Sequence, residues 1–168
     1  MFTQWKKIAA ILSATALLSA VAQPGLAEEH HHGHDHGHEM TAPAQLGLNN
    51  GQKWATDDSL RQGMSRIRDA LAADLPAIHS GKATVKQYRG LAQKTNEQIS
   101  FMVNNCKLEP ETDAMLHLLL GEIMAGAEAM QKKNGNEARK GAEKISRALE
   151  DYGVYFNHPD WHGVMHSH

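Results

Sequence analysis

Between Glu28 and Met40 the chain reads Glu28-Glu29-His30-His31-His32-Gly33-His34-Asp35-His36-Gly37-His38-Glu39-Met40. Six imidazoles fall within nine residues, separated by glycines and flanked by carboxylates. Neutral imidazole is a good ligand for Cu, Zn, Ni and Co, and glycine lets the backbone wrap several rings around one ion. The spacing therefore predicts a divalent transition-metal site drawn from His30, His31, His32, His34, Asp35, His36 and His38. Such a site is adaptable and poorly selective, with affinities that follow the Irving–Williams order. The bland alternative is a solubilising linker with incidental metal affinity.

A second cluster closes the chain: His158-Pro159-Asp160-Trp161-His162-Gly163-Val164-Met165-His166-Ser167-His168. Four histidines and a methionine in eleven residues suit soft to borderline cations. His158, His162, His166 and His168 are therefore further candidate ligands. A frayed, solvated terminus is the competing reading, since chain ends tolerate almost any sequence.

Other chemistry is sparse. There is no G-x-S-x-G, no phosphate loop, no H-E-x-x-H and no paired Glu-x-x-His, so a non-enzymatic role is expected. Cys106 is the only cysteine, which excludes an internal disulfide, and C-x-x-C-H is absent, which excludes the usual c-type haem attachment. Seventeen Lys and Arg against nineteen Asp and Glu leave a net charge of −2 and no broad basic field, so nucleic acid is not an expected partner. His117 reads as a boundary histidine hydrogen-bonded inside the fold. Cys106 reads as a small apolar helix-end residue, and a Cys106–His117 metal pair has no motif to support it. Met64, Met102, Met115, Met124 and Met130 fall on or beside packing faces and read as core residues first.

The elements that must position these residues follow from the rest of the chain. Lys6 and Lys7, then the apolar run from Ile8 to Val21, then small residues at Ala20-Val21-Ala22 and Gly25-Leu26-Ala27, form an export-signal pattern over residues 1–27. Cleavage after Ala22 or after Ala27 fits equally. The apolar run is too short for a comfortable membrane span, so no span is expected once it is removed. Residues 28–50 lack large apolar side chains and read as a flexible His-rich tail. The helical domain is expected over 51–157, with 158–168 as a His-rich C-terminal tail.

Four helices are predicted. Thr56-Asp57-Asp58 caps the first, whose stripe is Leu60, Met64, Ile67, Leu71, Leu75 and Ile78; Pro76 should kink its last turn and Gly81 should stop it. Thr84 and Gln87 form a capping box for the second, with Val85, Tyr88, Leu91 or Ala92, Thr95, Ile99 and Met102 on one face. Pro110 opens the third, with Leu116, Leu119 or Leu120, Ile123, Ala127 and Met130 inward and Lys132, Lys133 and Gly135 closing it. The fourth starts near Asn136 and carries Ala138, Ala142, Ile145, Leu149, Tyr152 and Phe156. Short connections between helices of about 30 Å imply an all-α, antiparallel up-down-up-down four-helix bundle. That topology sends both His-rich tails out of the same end.

Several stretches carry a resemblance. Leu48 to Asp57, Gly63-Met64-Ser65-Arg66-Ile67-Arg68, Asn105-Cys106-Lys107-Leu108-Glu109-Pro110 and Leu149-Glu150-Asp151-Tyr152-Gly153 together resemble a group of small exported proteobacterial proteins, DnrO-like, with a His-rich tail ahead of a helical domain. The resemblance implies a periplasmic setting and no defined mechanism. The architecture is also similar to the cytochrome b562 and c′ bundles, and the b562 type implies haem between Met64 and His158. The expected function is periplasmic metal binding, as a buffer or an accessory in metal homeostasis, with a metal transporter or chaperone as the natural partner. A b-type haem electron-transfer protein and a structural, partner-binding bundle are the alternatives.

Overall fold

The computed structural model describes residues 45–164. The signal pattern, the ligand candidates His30, His31, His32, His34, Asp35, His36 and His38, and the candidates His166 and His168 all lie outside the described residues.

Among the described residues the fold is four helices: α1 (Asp58–His79), α2 (Val85–Asn105), α3 (Pro110–Met130) and α4 (Gly135–Tyr155). Short connections make neighbours antiparallel, giving the up-down-up-down bundle. Its core is Leu60, Met64, Ile67 and Leu71 from α1, with Leu91, Ile99 and Met102 from α2. From the other side come Leu116, Leu119, Ile123 and Met130 of α3 and Ile145, Leu149 and Tyr152 of α4. None of the four helices is long and apolar enough to cross a membrane.

Each helix end has a physical cause in the sequence. The Asp57 carboxylate accepts from Leu60 N at 2.7 Å, satisfying one of the orphan amides of α1. Gly81, at φ +68°, ends α1: its N–H reaches Ile78 O at 3.1 Å and the Lys82 N–H reaches Ala77 O at 2.9 Å, a Schellman closure. Pro76 is accommodated inside α1, which runs on to His79. The capping box of Thr84 and Gln87 is complete in both directions. Asn134 caps α4 through Asn136 N, and Gly135 is the first residue of α4 instead of the stop for α3.

Two seams join α4 to its neighbours differently. Against α3 it packs directly. A Cβ on Gly126 would lie 2.7 Å from Gly141 O, and one on Gly141 would lie 2.9 Å from Ala129 Cβ, so the backbones meet where neither residue has a side chain. Against α1 the seam is bridged by the returning chain. After α4, Trp161 packs edge-on to Tyr152 at 4.7 Å and lies under the Arg68 guanidinium of α1 at 5.0 Å. A Cβ on Gly153 would collide with the Trp161 indole. Val164 then buries to 1% exposure. The packed unit thus extends past residue 157 and takes in residues 158–164.

The chain ahead of α1 is also built in. Asn50 (φ 50°) and Gly51 (φ 85°) make a tight turn closed by Asn49 N to Gln52 O at 2.8 Å and Gln52 N to Asn49 O at 2.9 Å. Trp54 then pairs with Phe156 in parallel fashion. Trp54 N donates to Tyr155 O and Asn157 N donates to Trp54 O, both at 2.8 Å. Leu46 packs against the core, so order reaches back ahead of residue 51.

Candidate metal centre

The pairing of Trp54 with Phe156 joins the described chain ahead of α1 to the end of α4. Lys53 Nζ donates to Gly153 O at 2.6 Å, and Thr56 Oγ1 donates to Asn157 O at 2.6 Å. The Trp54 indole N–H donates to Gly47 O at 2.6 Å, which ties the root of the N-terminal segment to the same place. Gly47 and His158 therefore belong to one end of the molecule, where α1 and α3 begin and α2 and α4 finish.

His158 sits just beyond α4, half-buried. Its Nδ1 is 3.1 Å from Tyr152 Oη, and its ring lies 4.9 Å from that of Trp161. Burial lowers its pKa first, and the guanidiniums of Arg61 and Arg68 lower it further against a smaller opposing pull from Asp160. Two consequences oppose each other. The ring stays neutral at neutral pH, as a metal ligand must, yet the same two guanidiniums repel an incoming cation. If Nδ1–H donates to Tyr152 Oη, Nε2 is left with the free lone pair. Burial raises the Tyr152 pKa and keeps the phenol neutral, and its oxygen lone pairs can accept that bond. His162 is exposed and has none of these constraints.

His117 departs from expectation. It lies on the outside of α3, its side chain 66% exposed, where an internally bonded boundary histidine was predicted. Met124 follows it outward, at 54% exposure. The predicted inward stripe of α3 is buried, but the helix carries apolar residues outside that stripe too, so apolar neighbours at helical spacing do not mark His117 as inward. His117 Nδ1 is 2.9 Å from Asp113 O and 3.3 Å from the Asp113 carboxylate. A carbonyl only accepts, so Nδ1 carries the proton and Nε2 presents its lone pair to solvent. A hydrogen bond of this kind on one ring nitrogen fixes the direction in which the other can ligate.

Cys106 is half-buried where α2 gives way to the α2–α3 connection. Burial is the main reason its thiol is pushed up to about 12, with the Asp57 charge, a hydrogen bond to Asp57 and the Asp113 charge adding to it. The thiol is thus protonated and a poor nucleophile or ligand. It shares a cavity of about 240 Å³ with Met102, Asp113 and His117. Met64, the other soft candidate, is fully buried in the core. Among the described residues, no three of His, Cys, Asp and Glu converge closely enough to hold a metal ion.

Asp57 is the residue that spacing arguments undervalued. One carboxylate oxygen caps α1, while the other accepts from Lys107 N at 2.6 Å and so joins the α2–α3 connection to the start of α1. The N-cap half of this role is visible in the sequence; the half that spans fifty residues is not. Comparison with family models, with curated proteins and with solved structures finds no match to this chain.

Proposed function

We propose that this is an exported, periplasmic protein that binds divalent transition metal ions, Cu, Zn, Ni or Co, through its His-rich segments. The observation that carries the reading is the pairing of Trp54 with Phe156, supported by Trp54 Nε1 on Gly47 O. It sets Gly47 at the end of the bundle that carries His158 and His162. Six residues lie between His38 and Gln45. The segment supplies ligands by its own composition, and His162 and, with a shift in its hydrogen bond, His158 are further candidate ligands. The bundle offers surface to a transporter or metal chaperone.

The haem alternative asks more of the same residues. His158 would have to leave Tyr152 Oη and the Trp161 ring to turn inward, and Met64 would have to leave a fully packed core. Elemental analysis of the protein isolated from its own compartment tests the metal reading. Near-stoichiometric Cu, Zn, Ni or Co supports it, and metal-free protein from metal-replete cells refutes it.

A further inference from the structure

α3 buries one side in the core and leaves the other without cover. Ala114, Gly121, Met124 and Ala125 are exposed along that outer side, with Leu118 half-buried among them. The nearest charge in this stretch, Glu122, pairs with Lys144 of α4. The neutral surface continues onto α2 through Asn96, Ser100 and Val103, the last 67% exposed. The exposed side of α4 is the ordinary contrast, carrying Glu137, Lys140, Arg147 and Asp151. A helix apolar all round is normally buried, and an exposed apolar patch marks an interaction surface.

The charges at its two ends indicate what covers it. Glu109, Glu111 and Asp113 lie at the start of α3, and Lys132 and Lys133 lie just past its end. Asp113 and Lys132 are separated by about 28 Å of helix. A second α3 laid antiparallel on the first sets each acidic end against a basic end, whereas a parallel one sets like against like. The surface is therefore self-complementary, as a two-fold contact requires.

We propose that the outer face of α3 is a self-association surface, on which a second copy of this chain docks its own α3 antiparallel about a two-fold axis between Gly121 and Met124. The small residues Ala114, Gly121 and Ala125 allow close approach of the two helices. A Cβ at Gly121 would find open space, so nothing in this copy blocks the approach of a second helix there. A groove of about 440 Å³ between α2 and α3, lined by Asn96, Gly121, Met124, Ala125, Glu128 and Gln131, receives Met124 of the second copy at its Gly121 end. The same axis places His117 opposite Glu128 of the second copy and Asp113 opposite its Lys132. The contact uses neither His-rich segment, so it stands apart from metal binding.

Sedimentation equilibrium of the intact protein, purified as its host processes it and kept in a chelator, tests the proposal. The expected result is a reversible dimer. Met124→Glu and Ala125→Glu should each raise its Kd at least about tenfold, with helix content and Tm unchanged because both positions are exposed in the monomer. Lys132→Glu with Lys133→Glu should weaken it comparably, and adding Glu109→Lys with Glu111→Lys in the same chain should restore it. A monomer at about 100 μM, or a dimer indifferent to Met124→Glu, overturns the proposal. A charge reversal that the second pair does not restore overturns the antiparallel arrangement.

Discussion

Where α1 turns into α2 and α3 into α4, each connection closes on itself. Gly81 and Lys82 bond back to Ile78 and Ala77, Thr84 and Gln87 cap each other, and Asn134 caps α4 two residues on. At the other end, local caps and turns are joined by contacts between distant segments. Lys53 reaches Gly153, Thr56 reaches Asn157, Asp57 reaches Lys107, and Trp161 folds back over Tyr152 and under Arg68. One end is held by caps worth about 1 kcal/mol each. The other is held by contacts between segments far apart in the chain, so it forms only when the whole bundle does.

Substitutions that break this contrast should have unequal effects. Trp161→Ala removes the bridge between α4 and α1 and should cost about 2–4 kcal/mol. His79→Ala, at the opposite end and exposed, should stay within about 0.5 kcal/mol. Urea unfolding of the two variants gives the comparison directly, and equal midpoints would erase the distinction between the ends. Asp57→Ala should rank next. It loses an N-cap and leaves Lys107 N without its partner, about 1–3 kcal/mol together, whereas Thr84→Ala loses one side of a local capping box and about 1 kcal/mol.

A smaller effect concerns pH. His158 titrates below its ordinary value in the folded protein, so the unfolded chain takes up the proton first. Stability from this group is complete above the unfolded pKa of about 6.5 and declines as pH falls below it, levelling off once the folded-state pKa is passed. Thermal melts between pH 7.5 and 5 should show that decline, and His158→Gln should flatten it. The smallest expectation is a rate: with its thiol pushed up to about 12, Cys106 should alkylate slowly at pH 8 in native protein and quickly after unfolding.

The same division explains what the sequence revealed. The α1 cap at Asp57, the box at Thr84 and Gln87, Pro110 at the start of α3 and the stop at Gly81 are short-range chemistry, and all stand where the residue types indicate. The bundle itself followed from four stripes and short connections. In α3 the predicted inward residues Leu116, Leu119, Leu120, Ile123, Ala127 and Met130 are all buried, but further apolar residues beside that stripe hid the turned-out positions of His117 and Met124. The pairing of Trp54 with Phe156 and the return of Trp161 and Val164 onto the bundle depend on partners many residues away. Asn50-Gly51 is a legible turn signal, but nothing local says what the strand after it will meet.

Metal binding through the His30–His38 segment is proposed, and calorimetric titration with Zn²⁺ of the intact protein and of a form lacking residues 28–40 tests it most directly. Deleting the segment is expected to remove at least one bound ion, while His158→Ala/His162→Ala in the intact protein is expected to weaken binding further. Unchanged stoichiometry after the deletion would contradict the proposal.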